Sequence, residues 1–186
     1  MMKSNYTLAQ VAAIYCVYKC ITPYHTVSCC TCGRTIEITS FEDCYAVYGH
    51  YIARSKAPKI KYHPANAYPQ CPSCNMQISS NIDNAYDNFI NFNFGTSFKE
   101  QLMQDDTFND IDYAKNWYLI ELSKLAQKYT ELNDIFVDIV TGEFKEIEVK
   151  ENSIEEQWQT FSVTFRQDLD TITNFLKSEP IEYERF

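Results

Sequence analysis

Leu8, Val11, Ala12, Tyr15, Val17 and Tyr18 recur at helical spacing and make one broad apolar surface, so residues 6–20 predict a helix. The pattern then shortens. Thr35-Ile36-Glu37-Ile38-Thr39 alternates with the period of a half-buried strand, and Val47 to Ala53 reads as a second strand within a run of short strands and turns over 26–68. A helix is expected to open close to Cys71, with Pro72 in its first position or Ser73 as its cap. Residues 82–92 read as helical, with Gly95 as the stop.

Beyond Gly95 the pattern is mainly helical. Ser97 to Met103 is a short piece, and Ile111 to Leu132 a longer one, carrying Ile111, Ala114, Tyr118, Leu122, Leu125, Tyr129 and Leu132 at helical spacing. Residues 135–149 hold β-branched side chains on both sides of Thr141-Gly142, which predicts a β-hairpin. A final helix is expected from the capping box of Ser153 and Glu156, with Ile154, Trp158, Phe161, Phe165, Leu169, Ile172 and Leu176 as one stripe ending before Pro180. The expected class is α+β, divided as residues 1–95 and an acidic, mainly helical extension over 96–186.

Hydrophobic residues at 45% and aromatic ones at 15% belong to a chain that buries a core. No apolar run reaches the roughly 18–20 residues needed to span a bilayer. Leu8 to Tyr18, the nearest approach to a secretion signal, contains Gln10 and lacks a basic front end, so it reads as a buried helix and the expected compartment is the cytoplasm. The net charge of −9 conceals an asymmetry: residues 1–80 carry seven Lys/Arg against three Asp/Glu, and residues 81–186 carry nine against 22. The asymmetry permits nucleic-acid binding by the first half and gives no support for it in the second. The second half is a candidate surface for a protein partner or, less simply, a DNA mimic, although acidic helices are usually just solvated faces.

The cysteines sharpen the picture. Cys29-x-x-Cys32 and Cys71-Pro-Ser-Cys74 form two CxxC knuckles about forty residues apart. Together they can fill the tetrahedral sphere of one zinc ion, which makes the site structural, with no position open to substrate. Cys29 suits the knuckle spacing and Cys30 does not; Cys30 or His25 is the alternative ligand. Cys16 and Cys20, four apart on the first helix, read as buried free thiols, with a share in a metal site as the alternative.

Between the knuckles lies His50, in a strand-like aromatic run. An imidazole there can act as a general base on water, because its pKa lies near neutrality. Asn75, at the start of a helix, could help hold a divalent ion that stabilises charge on a phosphate. Asn66 could fix the intervening loop through side-chain to backbone hydrogen bonds. Arg54, Lys56, Lys59 and Lys61 cluster just after His50 and are candidate phosphate contacts.

His50, Asn66 and Asn75, set among Cys29, Cys32, Cys71 and Cys74, resemble an HNH nuclease of the ββα-metal class. More narrowly, Gly49-His50-Tyr51-Ile52-Ala53-Arg54, Lys61-Tyr62-His63 and Asn66-Ala67-Tyr68-Pro69-Gln70-Cys71-Pro72-Ser73-Cys74-Asn75 are similar to the phage recombination endonuclease family called NinG or Rap. The likeness covers about residues 26–132. It implies a zinc-stapled ββα-metal core, His50, Asn66 and Asn75 as catalytic residues, Mg²⁺ or Mn²⁺ as catalytic metal, and cleavage of branched recombination DNA in the bacterial host cell. The chain departs from many HNH enzymes in having Gly49 where an acidic residue or histidine binds metal; His63 or Asp43 could complete the site. The alternative is an inactive zinc-stabilised protein on the same scaffold, binding DNA or a host protein.

Overall fold

The structure, a computed structural model, describes residues 2–77 and 84–145. The helix expected from Ser153 onward lies outside them. The first helix, α1 (Leu8–Tyr18), begins at Thr7, whose side chain accepts from the Gln10 N–H while the Gln10 side chain accepts from Thr7. Leu8, Val11, Ala12, Ala13, Ile14, Cys16, Val17 and Tyr18 are all buried, so α1 is covered on nearly every side and runs through the centre of the fold.

Three two-stranded sheets follow among the described residues. β2 (Thr26–Ser28) and β3 (Thr35–Glu37) pair antiparallel, with Val27 opposite Ile36. β4 (Tyr48–His50) and β5 (Ala67–Pro69) also pair antiparallel, with Gly49 opposite Tyr68 and His50 opposite Ala67. β1 (Met2–Lys3) runs parallel to β6 (Gly142–Glu143). The strands are shorter than the pattern predicts: the one expected over 47–53 ends at His50, after which the chain turns into 3₁₀ pieces at Pro58–Ile60 and Pro64–Asn66. Between β3 and β4 stands α2 (Phe41–Ala46), which the period of two conceals; its signal is the capping box of Ser40 and Asp43.

The helices after β5 are α3 (Pro72–Gln77), α4 (Ala85–Phe94), α5 (Phe98–Gln104), α6 (Ile111–Ala126) and α7 (Asn133–Thr141). Pro72 is the first residue of α3, and Gly95 ends α4 with φ +87°, a conformation that favours glycine. The helix expected through Leu132 breaks at Ala126 and resumes as a 3₁₀ turn over Thr130–Leu132. The β-hairpin expected over 135–149 is not formed where the chain is described, because residues up to Thr141 are helical. Leu132, Ile135 and Ile139 fall on one side of that turn and helix and are buried in the core with α6, while Val137 and Val140 face solvent. Burial at helical spacing overrides β-branched propensity here.

The main core gathers α1, Val27, Ile38, Cys44, Val47 and Tyr48 with Ala114, Tyr118 and Leu122 of α6 and Ile135 and Ile139 of α7. Residues on both sides of Gly95 thus share one apolar interior. Two smaller clusters stand apart from this core: Ile52, Ala57, Ile60 and Leu102 form one, and Tyr68, Tyr86 and Ile90 the other. No helix among the described residues is long and apolar enough to cross a membrane.

Candidate metal centre and histidine site

The two knuckles arise at different kinds of turn. Cys29 to Cys32 lies in the β2–β3 connection, closed by Gly33 N–H to Cys29 O at 2.9 Å and Cys29 N–H to Arg34 O at 2.8 Å, with Gly33 at φ +72°. Cys71 to Cys74 spans the end of β5 and the first turn of α3, where Asn75 N–H donates to Cys71 O at 2.9 Å. Two hydrogen bonds then join them: Cys30 N–H donates to Pro69 O at 2.9 Å, and Cys71 N–H to the Cys29 side-chain sulfur at 3.3 Å.

The result is a quartet. The Sγ atoms of Cys29, Cys32, Cys71 and Cys74 lie within 4.8 Å of one another, and Cys32 and Cys71 are 3.8 Å apart. A tetrahedron of thiolates about 2.3 Å from zinc has edges of about 3.8 Å. The four cysteines can therefore hold a metal ion such as zinc, and their sulfur-only chemistry suits zinc over a hard cation. The Cys71 thiol, hydrogen-bonded to Cys29, holds the Cys29 thiol below its ordinary value, against the opposing effect of burial. Cys30 stands outside the quartet, and His25 lies 3.9 Å from Glu131 instead.

Residues 20–132 match the model of the family described as Bacteriophage Lambda NinG protein. The chain belongs to the NinG family. No curated relative and no solved structure matches it. The NinG segment contains both knuckles and everything between them, so the candidate catalytic residues all fall within it.

His50 closes β4. Its ring meets Tyr48 edge-on, with centroids 4.5 Å apart, and its Nε2 is 3.0 Å from the Lys61 carbonyl oxygen. A carbonyl only accepts, so Nε2 carries the proton and Nδ1 keeps its lone pair. Burial lowers the His50 pKa to about 4, partly opposed by the bond to Lys61; Arg54 is the charged group that adds to the lowering. The ring is neutral at physiological pH, and one nitrogen is free to take a proton.

Asn66 is completely buried. Its Oδ1 accepts from Ile52 N–H at 2.9 Å, and its Nδ2 donates to Ile52 O at 3.1 Å and Ile60 O at 3.2 Å. The carboxamide is thereby committed to pinning the loop that carries the basic residues. Arg54, Lys56 and Lys59 of that loop are exposed, while Lys61 is half-buried with its Nζ 4.9 Å from the centre of the Tyr62 ring. Asn75 is half-buried on α3.

The two further ligand candidates are both engaged. Asp43 Oδ2 accepts from Thr39 N–H, Thr39 Oγ1 and Ser40 N–H, each at 2.8 Å, as the cap of α2. His63 accepts from Ala65 N–H at Nδ1 and faces Asp105 Oδ2 at 3.1 Å through Nε2. Neither is free to complete a divalent-ion site beside His50.

Sequence reasoning passed over Gln70, Tyr86 and Lys19. Gln70 is fully buried and its Nε2 donates to Thr31 Oγ1 in the first knuckle at 2.6 Å. Tyr86 places its hydroxyl between β4 and β5. Lys19 Nζ donates to Pro64 O at 2.7 Å and Ala67 O at 3.0 Å, which ties α1 to the start of β5. A polar residue whose partners lie far along the chain leaves no trace in hydrophobic period; only the position of Gln70 against Cys71 offers a hint.

Proposed function

We propose that this NinG-family chain is a metal-dependent endonuclease of the HNH type that cuts branched DNA, with a zinc ion on the cysteine quartet as structural staple and His50 as general base. The observation that carries the reading is the state of His50. Its Nε2–H is held by Lys61 O at 3.0 Å, so Nδ1 keeps its lone pair, on a strand that lies between the two knuckles in the chain. The order β4, β5, α3, with knuckle cysteines beside β5 and α3, supports a ββα-metal core. In this reading His50 takes the proton of the attacking water. Arg54, Lys56, Lys59 and Lys61 neutralise the phosphates, and Asn66 holds their loop in register with the strand.

A hard divalent ion would supply charge to the phosphate under attack. The described residues fit such an ion less well than they fit zinc, because Asp43 and His63 are engaged and Asn75 is the one remaining oxygen donor of the predicted set. Further oxygens would have to come from DNA phosphate and water, as is usual for Mg²⁺. That shortage favours a second reading: a protein that binds DNA or a host protein on this scaffold without cutting. One assay separates them. Linear, flapped and four-way DNA are incubated with Mg²⁺ or Mn²⁺ and either the wild type or His50→Ala. Metal-dependent cutting that the variant lacks selects the enzyme; binding by both without cutting selects the second reading.

A further inference from the structure

His50 lies between two residues that are both gripped by α4. Tyr86 is buried, and its hydroxyl accepts from Tyr68 N–H at 3.1 Å and donates to Gly49 O at 3.0 Å. Gly49 and Tyr68 are register partners, so one phenol serves both strands at the position just before His50. The next residue of α4, Asp87, accepts from the Tyr51 hydroxyl at 2.5 Å, just after His50. Lys99 of α5 backs this carboxylate at 3.6 Å and lies 5.6 Å from the centre of the Tyr51 ring. The Tyr51 and Tyr86 rings are themselves 5.2 Å apart.

A hairpin of three residues per strand is weak by itself, and a base must be held to within about 0.5 Å to work. Packing alone does not explain the two polar groups. Phenylalanine at position 86 would leave Tyr68 N–H and Gly49 O without their partner, and an apolar residue at position 87 would release the Tyr51 hydroxyl, so both polar groups act on the strand residues beside His50. We propose that Tyr86 and Asp87 are positioning residues for His50: by holding Gly49 and Tyr51 they fix the peptide between them, and with it the aim of the imidazole. The assignment of a catalytic purpose rests on the reading of His50 as general base, but the holding itself is measurable without DNA.

The test uses the full zinc-loaded chain and follows the His50 ring by NMR in Tyr86→Phe, Asp87→Ala and Asp87→Asn. The ring's surroundings are Tyr48, the Lys61 carbonyl and, as charged neighbour, Arg54; none of these is altered. Loosening the strand should let water reach the ring, and the His50 midpoint should rise by about one pH unit in Tyr86→Phe and Asp87→Ala. Asp87→Asn keeps an acceptor for Tyr51 and should recover most of the shift. Cleavage at saturating DNA should fall about tenfold or more in the first two variants with KM little changed. Tyr51→Phe removes the same bond from its other end and replaces Asp87→Ala should that variant not fold. Unchanged His50 resonances and midpoint in folded Tyr86→Phe and in the Tyr51 or Asp87 variant overturn the proposal. Wild type that cuts no DNA, with the His50 midpoint still moving in the variants, removes the nuclease reading and upholds the positioning role.

Discussion

Gln70 lies against the α-carbon of Gly49 so closely that a Cβ at position 49 would sit 2.5 Å from Gln70 Oε1 and 2.6 Å from its Cβ. Gln70 in turn reaches the first knuckle through Thr31 and bonds Val47 O through its own N–H at 2.9 Å. Position 49 therefore has no room for a side chain: it belongs to the join between knuckle and strand. Gly49→Asp should not supply a metal ligand. It should lower stability by about 1–3 kcal/mol in urea denaturation. Combining it with Gln70→Ala should recover part of that loss, and strictly additive effects would separate the two residues.

One zinc per chain is expected on Cys29, Cys32, Cys71 and Cys74. Elemental analysis of protein purified without chelator checks it, and Cys32→Ser should lower the content sharply. Because Cys30 N–H and Cys71 N–H tie the knuckles to β5 and to each other, removing the metal should also loosen the β4–β5 hairpin. Faster amide exchange at Tyr68 and Tyr51 would register that loss.

Asn66→Ala leaves Ile52 N–H, Ile52 O and Ile60 O without their buried partner. The expected cost is about 3 kcal/mol, read from the denaturation midpoint. Since the same three bonds hold the basic loop, DNA affinity should fall even where the variant remains folded. A variant as stable as the wild type would mean that water replaces the carboxamide.

The depressed pKa of His50 sets two pH limits. Folded His50 titrates near 4 against an ordinary value of 6.5, so between those values the unfolded chain binds the extra proton. This contribution to stability is present above about 6.5 and is lost as pH falls toward 4. Cleavage, if His50 is the base, should keep its plateau down to about pH 5 and drop only near 4. An acid limb centred at 6.5 would show a ring more exposed than the structure has it.

Neutralising Arg54, Lys56, Lys59 and Lys61 together should weaken DNA binding and flatten its dependence on salt, because fewer counterions are released. Binding isotherms across a salt series measure this directly. An unchanged slope would put the DNA on another face.

The cysteine quartet was legible in the sequence because metal coordination demands particular residue types at short fixed spacings, and the two CxxC pairs carry that demand openly. α1, the opening of α3 close to Cys71 and the stop at Gly95 were legible for a similar reason: helical period, caps and glycine act locally, although the choice between Pro72 as first residue and Ser73 as cap was not. Tertiary contact decided the rest. Residues 135–141 have the β-branched composition of a strand, yet they form α7 because Ile135 and Ile139 find a buried place against α6 only at helical spacing. Asp43 and His63 have the chemistry of metal ligands, but Thr39, Ser40, Ala65 and Asp105 reach them first. Gly49 reads as a missing ligand until Gln70, twenty-one residues on, is found in the space its side chain would need. Residue type and local spacing state what a side chain can bind; which partner it meets depends on chain segments far apart in sequence, and only folding brings those together.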